Sequence, residues 1–408
     1  MSAWLDDAKS KATDGLSARL PDSKIQMMLV SDFDYHLPEH LIAQEPARQR
    51  DRSRLLVLDR ASGEFQDSTF DHLPDFLRAG DALVINNTRV FPARLIGRRV
   101  RMTEQGEAIE GARVEVFLVR QIEPLVWETL ARPGRALPAG ARLAFADELK
   151  AEVIERLEAG RRIIRFYAHG DFDEIIDRTG RTPLPPYIKR NEDARLDRER
   201  YQTVFARERG AIAAPTAGLH FTPALLDRIR QRGIETIEIT LHVGYGTFQP
   251  VRVDRVEDHR VESERYTITE DAARSINRAI KESRRIIAVG TTTTRALESA
   301  TRPPEEKEYG SKGVWEYGRN EFSSRTPTLP HSHTPTLRAI TSSTDLFIYP
   351  GFEFRAISGL VTNFHLPRSS LLMLAAAFAG RESILRAYRH AVEQEYRFYS
   401  YGDAMLIL

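Results

Sequence analysis

Three histidines lie in stretches poorly suited to a protein core. AAPTAGLHFT at 213–222 carries His220, LHVGYGTFQP at 241–250 carries His242, and VTNFHLPRSS at 361–370 carries His365. Glycine allows close backbone approach and dihedrals closed to other residues. Threonine adds a small hydroxyl, and imidazole is the side chain most easily poised for proton transfer near neutral pH. The mixture reads as pocket lining, with Thr216, Gly218, Gly244, Gly246, Thr247 and Asn363 as candidate substrate contacts. Ordinary turns with structural histidines are the competing reading. Three occurrences of one pattern favour a site, and the expectation is that the three turns converge on a single cavity.

The elements around these turns alternate between helix and strand. TPALLDRIRQRG at 222–233 has Thr222 as N-cap, Pro223 in the first turn and Gly233 as its stop, the pattern of a helix. DAARSINRAIKESRR at 271–285 reads as a helix and IIAVG at 286–290 as a buried strand. In IAVGTTTTRALES the strand ends at Gly290 and a helix begins after Thr292. LVTNFHLPRSSLLML at 360–374 repeats the order, with helices expected at 369–379 and 381–395. Ligands of α/β sheets bind beyond the carboxyl ends of strands. Exposed N–H groups at helix starts favour an anionic or electron-rich ligand, although simple capping by threonine and serine explains the same residues. Upstream, ARVEVFLVRQ, VWETLARP, ARLAFA, AEVIERLE and RRIIRFYA follow one another with turns at Gly134, Gly140 and Gly160. Such short, evenly spaced strands predict a small barrel. Asn86 and Asn87, in DALVINNTRVF, read as turn residues. A polar, proline-bearing stretch near 301–344 breaks the α/β pattern and reads as an insert.

Composition narrows the class. The chain has 408 residues, 41% hydrophobic and 29% charged, which fits a globular protein. It has no cysteine, so disulfides, thiolate metal sites and a cysteine nucleophile are excluded; a reducing cytoplasm is the expected setting. No apolar run is long enough to span a bilayer. His36 and His40 are separated by Pro38, which spoils a metal-binding helical face, and no metal is expected. HVGYGTF lacks the third glycine of a dinucleotide fingerprint. The formal charge is +1, from 59 basic and 58 acidic residues. An RNA partner must therefore meet a local basic face. Candidates are ARLIGRRVRM at 93–102, with Arg98 and Arg99, GRRIIRFYAH at 160–169, and YIKRNEDARLDRERY at 187–201, with Lys189 and Arg190; a solvated surface is the competing reading of each. Asn87 and Arg89 are either turn residues or base and phosphate contacts.

The strings SDFDYHLPEHLIAQEP, VINNTRVFPARL, PTAGLHFT, LHVGYGTFQPV, HRVESERY, GTTTTRALES, DLFIYPGFEF, LVTNFHLPRSSLLMLAAAFAG and YRFYSYGDAMLI occur in this order from about Met28 to Leu408. Together they resemble the S-adenosylmethionine:tRNA ribosyltransferase-isomerases of queuosine biosynthesis. The resemblance implies a mixed-sheet α/β main domain carrying an inserted small β-barrel. The corresponding boundaries are an N-terminal extension at 1–27, the α/β domain at 28–63 and 169–408, and the barrel at 64–168. It implies transfer and isomerisation of the ribosyl group of S-adenosylmethionine onto 7-aminomethyl-7-deazaguanine in tRNA, giving epoxyqueuosine, adenine and methionine. No cofactor is required beyond this co-substrate, because the sulfonium already acidifies the ribose 5′ carbon and makes methionine a good leaving group. His220 and His242 are then the expected proton-transfer pair, with His365 in reserve and the acid and base roles open. Phe221, Tyr245 and Phe248 are candidates to pack near adenine or the sulfonium, with core packing the equal alternative. Glu298 and Asp403 are candidate ribose-hydroxyl partners, and Arg295 a candidate clamp for a carboxylate or phosphate. The expected partner is a tRNA anticodon loop, met by a monomer. A methyltransferase using the same donor, or a non-catalytic RNA-binding protein, are the competing functions.

Overall fold

The structure is a computed structural model that describes residues 27–103, 105, 108–189, 194–248, 250–301 and 336–408. Residues 1–26 of the expected extension, residues 302–335 of the expected insert, and Arg190 lie outside the described residues.

Nine strands form one mixed sheet. In spatial order they are Ile340–Thr344, Glu264–Ile268, Glu235–Leu241, Ala82–Asn86, Ile286–Val289, Gly359–Asn363, Ala404–Ile407, Arg54–Leu58 and Phe65–Thr69. The four strands from Glu235–Leu241 to Gly359–Asn363 run parallel. The two central ones, Ala82–Asn86 (ALVIN) and Ile286–Val289 (IIAV), are almost wholly apolar and fully buried, as expected for strands covered on both faces. In ALVIN, Ala82 and Val84 enter one core cluster while Leu83 and Ile85 enter the other. Helices Glu270–Lys281, Thr291–Ala300, Ser370–Ala379 and Arg381–Glu393 cover the first face; Leu73–Phe76 and Pro223–Gln231 cover the second. The helix starts follow the capping chemistry read from the sequence: Thr222 accepts from Leu225 N at 3.2 Å, and Ser369 from Leu372 N at 3.2 Å.

Register brings more of the chain to the carboxyl edge of the parallel strands. Ala404 pairs antiparallel with Asn363 and parallel with Leu55, so strands Ala404–Ile407 and Arg54–Leu58 begin where Gly359–Asn363 ends. Glu264–Ile268 runs antiparallel to Glu235–Leu241 and also begins at that edge.

Six antiparallel strands, Arg94–Met102, Ala108–Glu123, Val126–Arg132, Arg142–Ala146, Leu149–Arg156 and Arg161–Ala168, close into a barrel. Leu95, Val114, Val116, Leu143, Val153, Ile164 and Phe166 fill it. Gly97 is required there, since a Cβ would stand 2.4 Å from the Ala144 carbonyl oxygen. The barrel strands start at Arg94. Phe65–Thr69 and Ala82–Asn86, expected within a barrel domain beginning at residue 64, hydrogen-bond into the large sheet instead. The unbroken apolar run of Ala82–Ile85 is the mark of a doubly covered strand, not of a barrel wall. The end of the expected insert also differs: Ile340–Thr344 pairs with Glu264–Ile268 as a short, polar edge strand, a composition that discourages edge-to-edge association. Among the described residues no helix is long and apolar enough to cross a membrane.

Candidate active site

A cleft opens at the carboxyl edge of the sheet. Four segments line it: Ala213–Ala217, Gly290–Thr292, Thr362–His365 and Tyr399–Ser400, with Val243, Thr247 and Leu371 between them. Gly290 sits at φ +95°, a conformation open to glycine, and hands the strand Ile286–Val289 to the helix Thr291–Ala300. Thr293 and Thr294 turn their hydroxyls back onto the carbonyls of Val289 and Gly290. Thr292 does not; its buried Oγ1 has no partner among the described residues. Tyr399 holds φ +77°, an unusual conformation for a tyrosine. It is fixed by its own N–H donating to Phe364 O at 3.0 Å and by Asn363 Nδ2 donating to its carbonyl at 3.0 Å.

The three histidines do not share this cleft. His365 lines it. Its Nε2 bonds Thr362 Oγ1 at 2.8 Å, and among the described residues Nδ1 has no hydrogen-bond partner. Tyr388 and Tyr35 hold the His365 backbone from behind. Burial pushes the His365 pKa down to about 3, so the ring is uncharged at neutral pH. His220 lines a neighbouring recess with Arg50, Arg200 and Tyr401; the two spaces share Ser400, and the ring itself bonds the cleft residue Asn363. Burial first, then the charges of Arg397 and Arg50, lower its pKa to about 3. His242 lines neither space. It bonds Thr88 Oγ1 at 2.9 Å and packs on Gly210, where a Cβ would meet the ring at 2.7 Å. Burial and Arg265 lower its pKa to about 4. The expected convergence of three imidazoles is thus corrected to one imidazole in the cleft and one behind it.

A second recess adjoins the first and shares Thr247 and Leu371 with it. Arg295 and Gly246 line it. Arg295 is 5% exposed; one Nη donates to Glu264, while Nε and the other Nη are buried without partners among the described residues. Glu264 also accepts from Gly244 N at 2.8 Å and Thr247 Oγ1 at 3.1 Å, so this carboxylate anchors the glycine-rich turn. Sequence reasoning passed over Glu264. The signal was present: in ERYTI, residues 264, 266 and 268 alternate inward, which buries a glutamate.

Other expected contacts have structural roles. Both Glu298 oxygens are taken by the backbone N–H groups of Arg355, Ala356 and Ile357 at 2.9–3.2 Å. Asp403 accepts from Arg54 N at 2.9 Å and Arg397 N at 2.7 Å, and burial raises its pKa. Neither carboxylate lines the cleft. Phe221 is fully buried against Phe70 and Phe205. Gly218 makes room for Thr203 and Phe205. Tyr245 packs edge-on against Phe117 of the barrel, and Phe248 ends the short turn Tyr245–Phe248. Thr216, Thr247, Thr292 and Asn363 do line the cleft.

Among the RNA candidates, Asn87 is 4% exposed and its amide is spent on Glu238 and Thr240. Asn86 bonds Leu241 and Thr88. The two asparagines therefore lock neighbouring strands together and do not form an exposed turn. Arg89 is exposed. Arg98 is exposed and paired with Glu110 at 3.1 Å, and Arg99 is half-buried. Lys189 is paired with Glu39.

Residues 30–407 match the family described as "Queuosine biosynthesis protein". The chain belongs to the queuosine biosynthesis protein family. Within that family it is 47% identical over 384 residues to the S-adenosylmethionine:tRNA ribosyltransferase-isomerase of Desulfitobacterium hafniense, covering 93% of this chain and all of the relative. It is 47% identical over 382 residues to the protein of the same name from Staphylococcus epidermidis, with the same coverage. A crystal structure of S-adenosylmethionine tRNA ribosyltransferase from Thermotoga maritima is similar at 34% identity, covering 93% of this chain and all of that one, with a TM-score of 0.49. For this queuosine biosynthesis family member the family match over residues 30–407 spans both the sheet and the barrel.

Proposed function

We propose that the cleft transfers and isomerises the ribosyl group of S-adenosylmethionine onto 7-aminomethyl-7-deazaguanine in a tRNA anticodon loop, with release of adenine and methionine. The observation that carries this reading is His365 lining a cleft at the carboxyl edge of the sheet, with Nδ1 unpartnered among the described residues. The reaction needs a base for the ribose 5′ proton, and a neutral imidazole is the form that accepts one. His365 takes the role expected of His220 and His242, because it is the imidazole that lines the cleft. Arg295 supports placing the methionine carboxylate in the adjoining recess, where two of its nitrogens await an acceptor. Thr292, at the start of a helix, supports a further polar contact to the donor. A tRNA substrate supports a cytoplasmic setting.

The test is a product analysis. Incubation with the donor and tRNA carrying the aminomethyl base should yield free adenine and methionine in equal amounts. His365→Ala should lower kcat by about 100- to 10,000-fold, the usual span for general acid–base catalysis. S-adenosylhomocysteine as the product would establish a methyltransferase instead. No small-molecule product would leave a binding protein.

A further inference from the structure

Asn363 is the last residue of the strand Gly359–Asn363, 2% exposed, and lines the cleft. Its amide orientation is dictated by its surroundings. Nδ2 donates one hydrogen to the Tyr399 carbonyl at 3.0 Å, and a carbonyl can only accept. The other hydrogen goes to His220 Nε2 at 3.2 Å. Both donors are consumed, and Oδ1 is left buried with no partner among the described residues. Such an atom is costly to bury unless something supplies a donor.

The tautomer of His220 follows from the same chain of bonds. Ser53 Oγ donates to the Arg50 carbonyl at 3.2 Å, so at 2.6 Å it accepts from His220 Nδ1–H. His220 Nε2 is then a bare lone pair, which is what Asn363 Nδ2 requires. The ring also stacks on Phe70 with centroids 4.9 Å apart, which limits its rotation. Both nitrogens are occupied within the fold, leaving no atom to exchange a proton with substrate.

We infer that Asn363 Oδ1 is a fixed acceptor for an N–H group of a purine-type base in the cleft, and that His220 is the positioning residue that keeps it aimed there. The inference rests on the ribosyl-transfer reading for what enters the cleft. Two bases share the required chemistry: the adenine of the donor, through its exocyclic amine, and the deazaguanine of the tRNA, through its ring N–H and amine. In either case the reading specifies polarity, because a base presenting only acceptors at this point would be rejected.

Four variants test it: Asn363→Ala, His220→Phe, His220→Gln and the double variant Asn363→Ala/His220→Phe, each checked for folding by thermal denaturation. Adenine release is followed with either substrate varied against saturating amounts of the other. Asn363→Ala should lose about 10- to 100-fold in kcat/KM for one substrate, and the substrate whose KM rises identifies the base. His220→Phe should lose a similar factor in the same parameter. His220→Gln, whose carbonyl can replace the Nε2 lone pair, should recover most of it. The double variant should be no worse than Asn363→Ala, since one residue acts through the other. The pH–rate profile should keep its shape in His220→Gln. The inference is overturned if His220→Gln is as impaired as His220→Phe, if the double variant shows the product of the two losses, or if Asn363→Ala changes neither KM nor kcat. Failure of the wild-type protein to release adenine would instead sink the ribosyl-transfer reading.

Discussion

A histidine hydrogen-bonded through both ring nitrogens has little left to offer a substrate, and burial without charge makes it a liability at low pH. His220 and His365 are both 5% exposed, and both have pKa values pushed down to about 3 against 6.5 in the unfolded chain. Between those values the unfolded chain binds more protons than the folded one. Stability is therefore complete above about pH 6.5 and is lost as pH falls toward 3. At pH 5 each ring should cost on the order of 2 kcal/mol. The urea midpoint measured at pH 5.0 should fall well below that at pH 7.5, and His365→Asn should reduce the difference. Equal midpoints at the two pH values, in a protein that still unfolds in one step, would show that these rings are not held neutral.

Elements decide which polar residues are available for chemistry. Glu298 lies on the helix Thr291–Ala300 and clamps three consecutive N–H groups of a loop more than fifty positions downstream. Glu298→Ala leaves those three donors buried, and about 3–5 kcal/mol of stability should be lost, read by chemical denaturation. The donor KM of the folded fraction should stay near that of wild type; a tenfold rise with unchanged stability would restore Glu298 to the ribose site. This separation between clamp and contact is what the sequence hides. The helix cap at Thr222, the buried strand Ile286–Val289 and the strand–loop–helix order around Gly290 and Asn363 were legible, because each rests on local pattern. Pairing partners were not. Asn86 and Asn87 look like a turn until Leu241, Glu238 and Thr240 arrive from a strand some 150 positions away. His242 looks like its two counterparts until the end of its strand sets it against Thr88 and Gly210. Glu264 was readable by alternation alone, and the polar strand Ile340–Thr344 was obscured by the prolines before it.

At the scale of the whole molecule, a formal charge of +1 gives no general attraction for tRNA, so affinity must come from local faces. The barrel carries the face proposed for RNA, the strand Arg94–Met102, and it is coupled to the cleft side of the sheet. Arg161 of the barrel pairs with Glu262, which lines the Arg295 recess, and Phe117 packs on Tyr245 of the glycine-rich turn. RNA bound along the strand Arg94–Met102 would thus rest on a body joined to the site. Arg98 already has Glu110 as a partner at 3.1 Å, but exposed pairs of this kind contribute little and can exchange a carboxylate for a phosphate. Reversing Arg98 and Arg99 to glutamate should weaken tRNA binding roughly tenfold at low salt and make the plot of log affinity against log salt shallower by about one to two units, one for each lost phosphate contact. The donor KM should not move, because neither arginine lines the cleft or its adjoining recess. If tRNA affinity and its salt slope both stayed at wild-type values, the barrel strand would be excluded from the interface, and the exposed Arg89 on the short strand Thr88–Val90 would become the next charge to reverse.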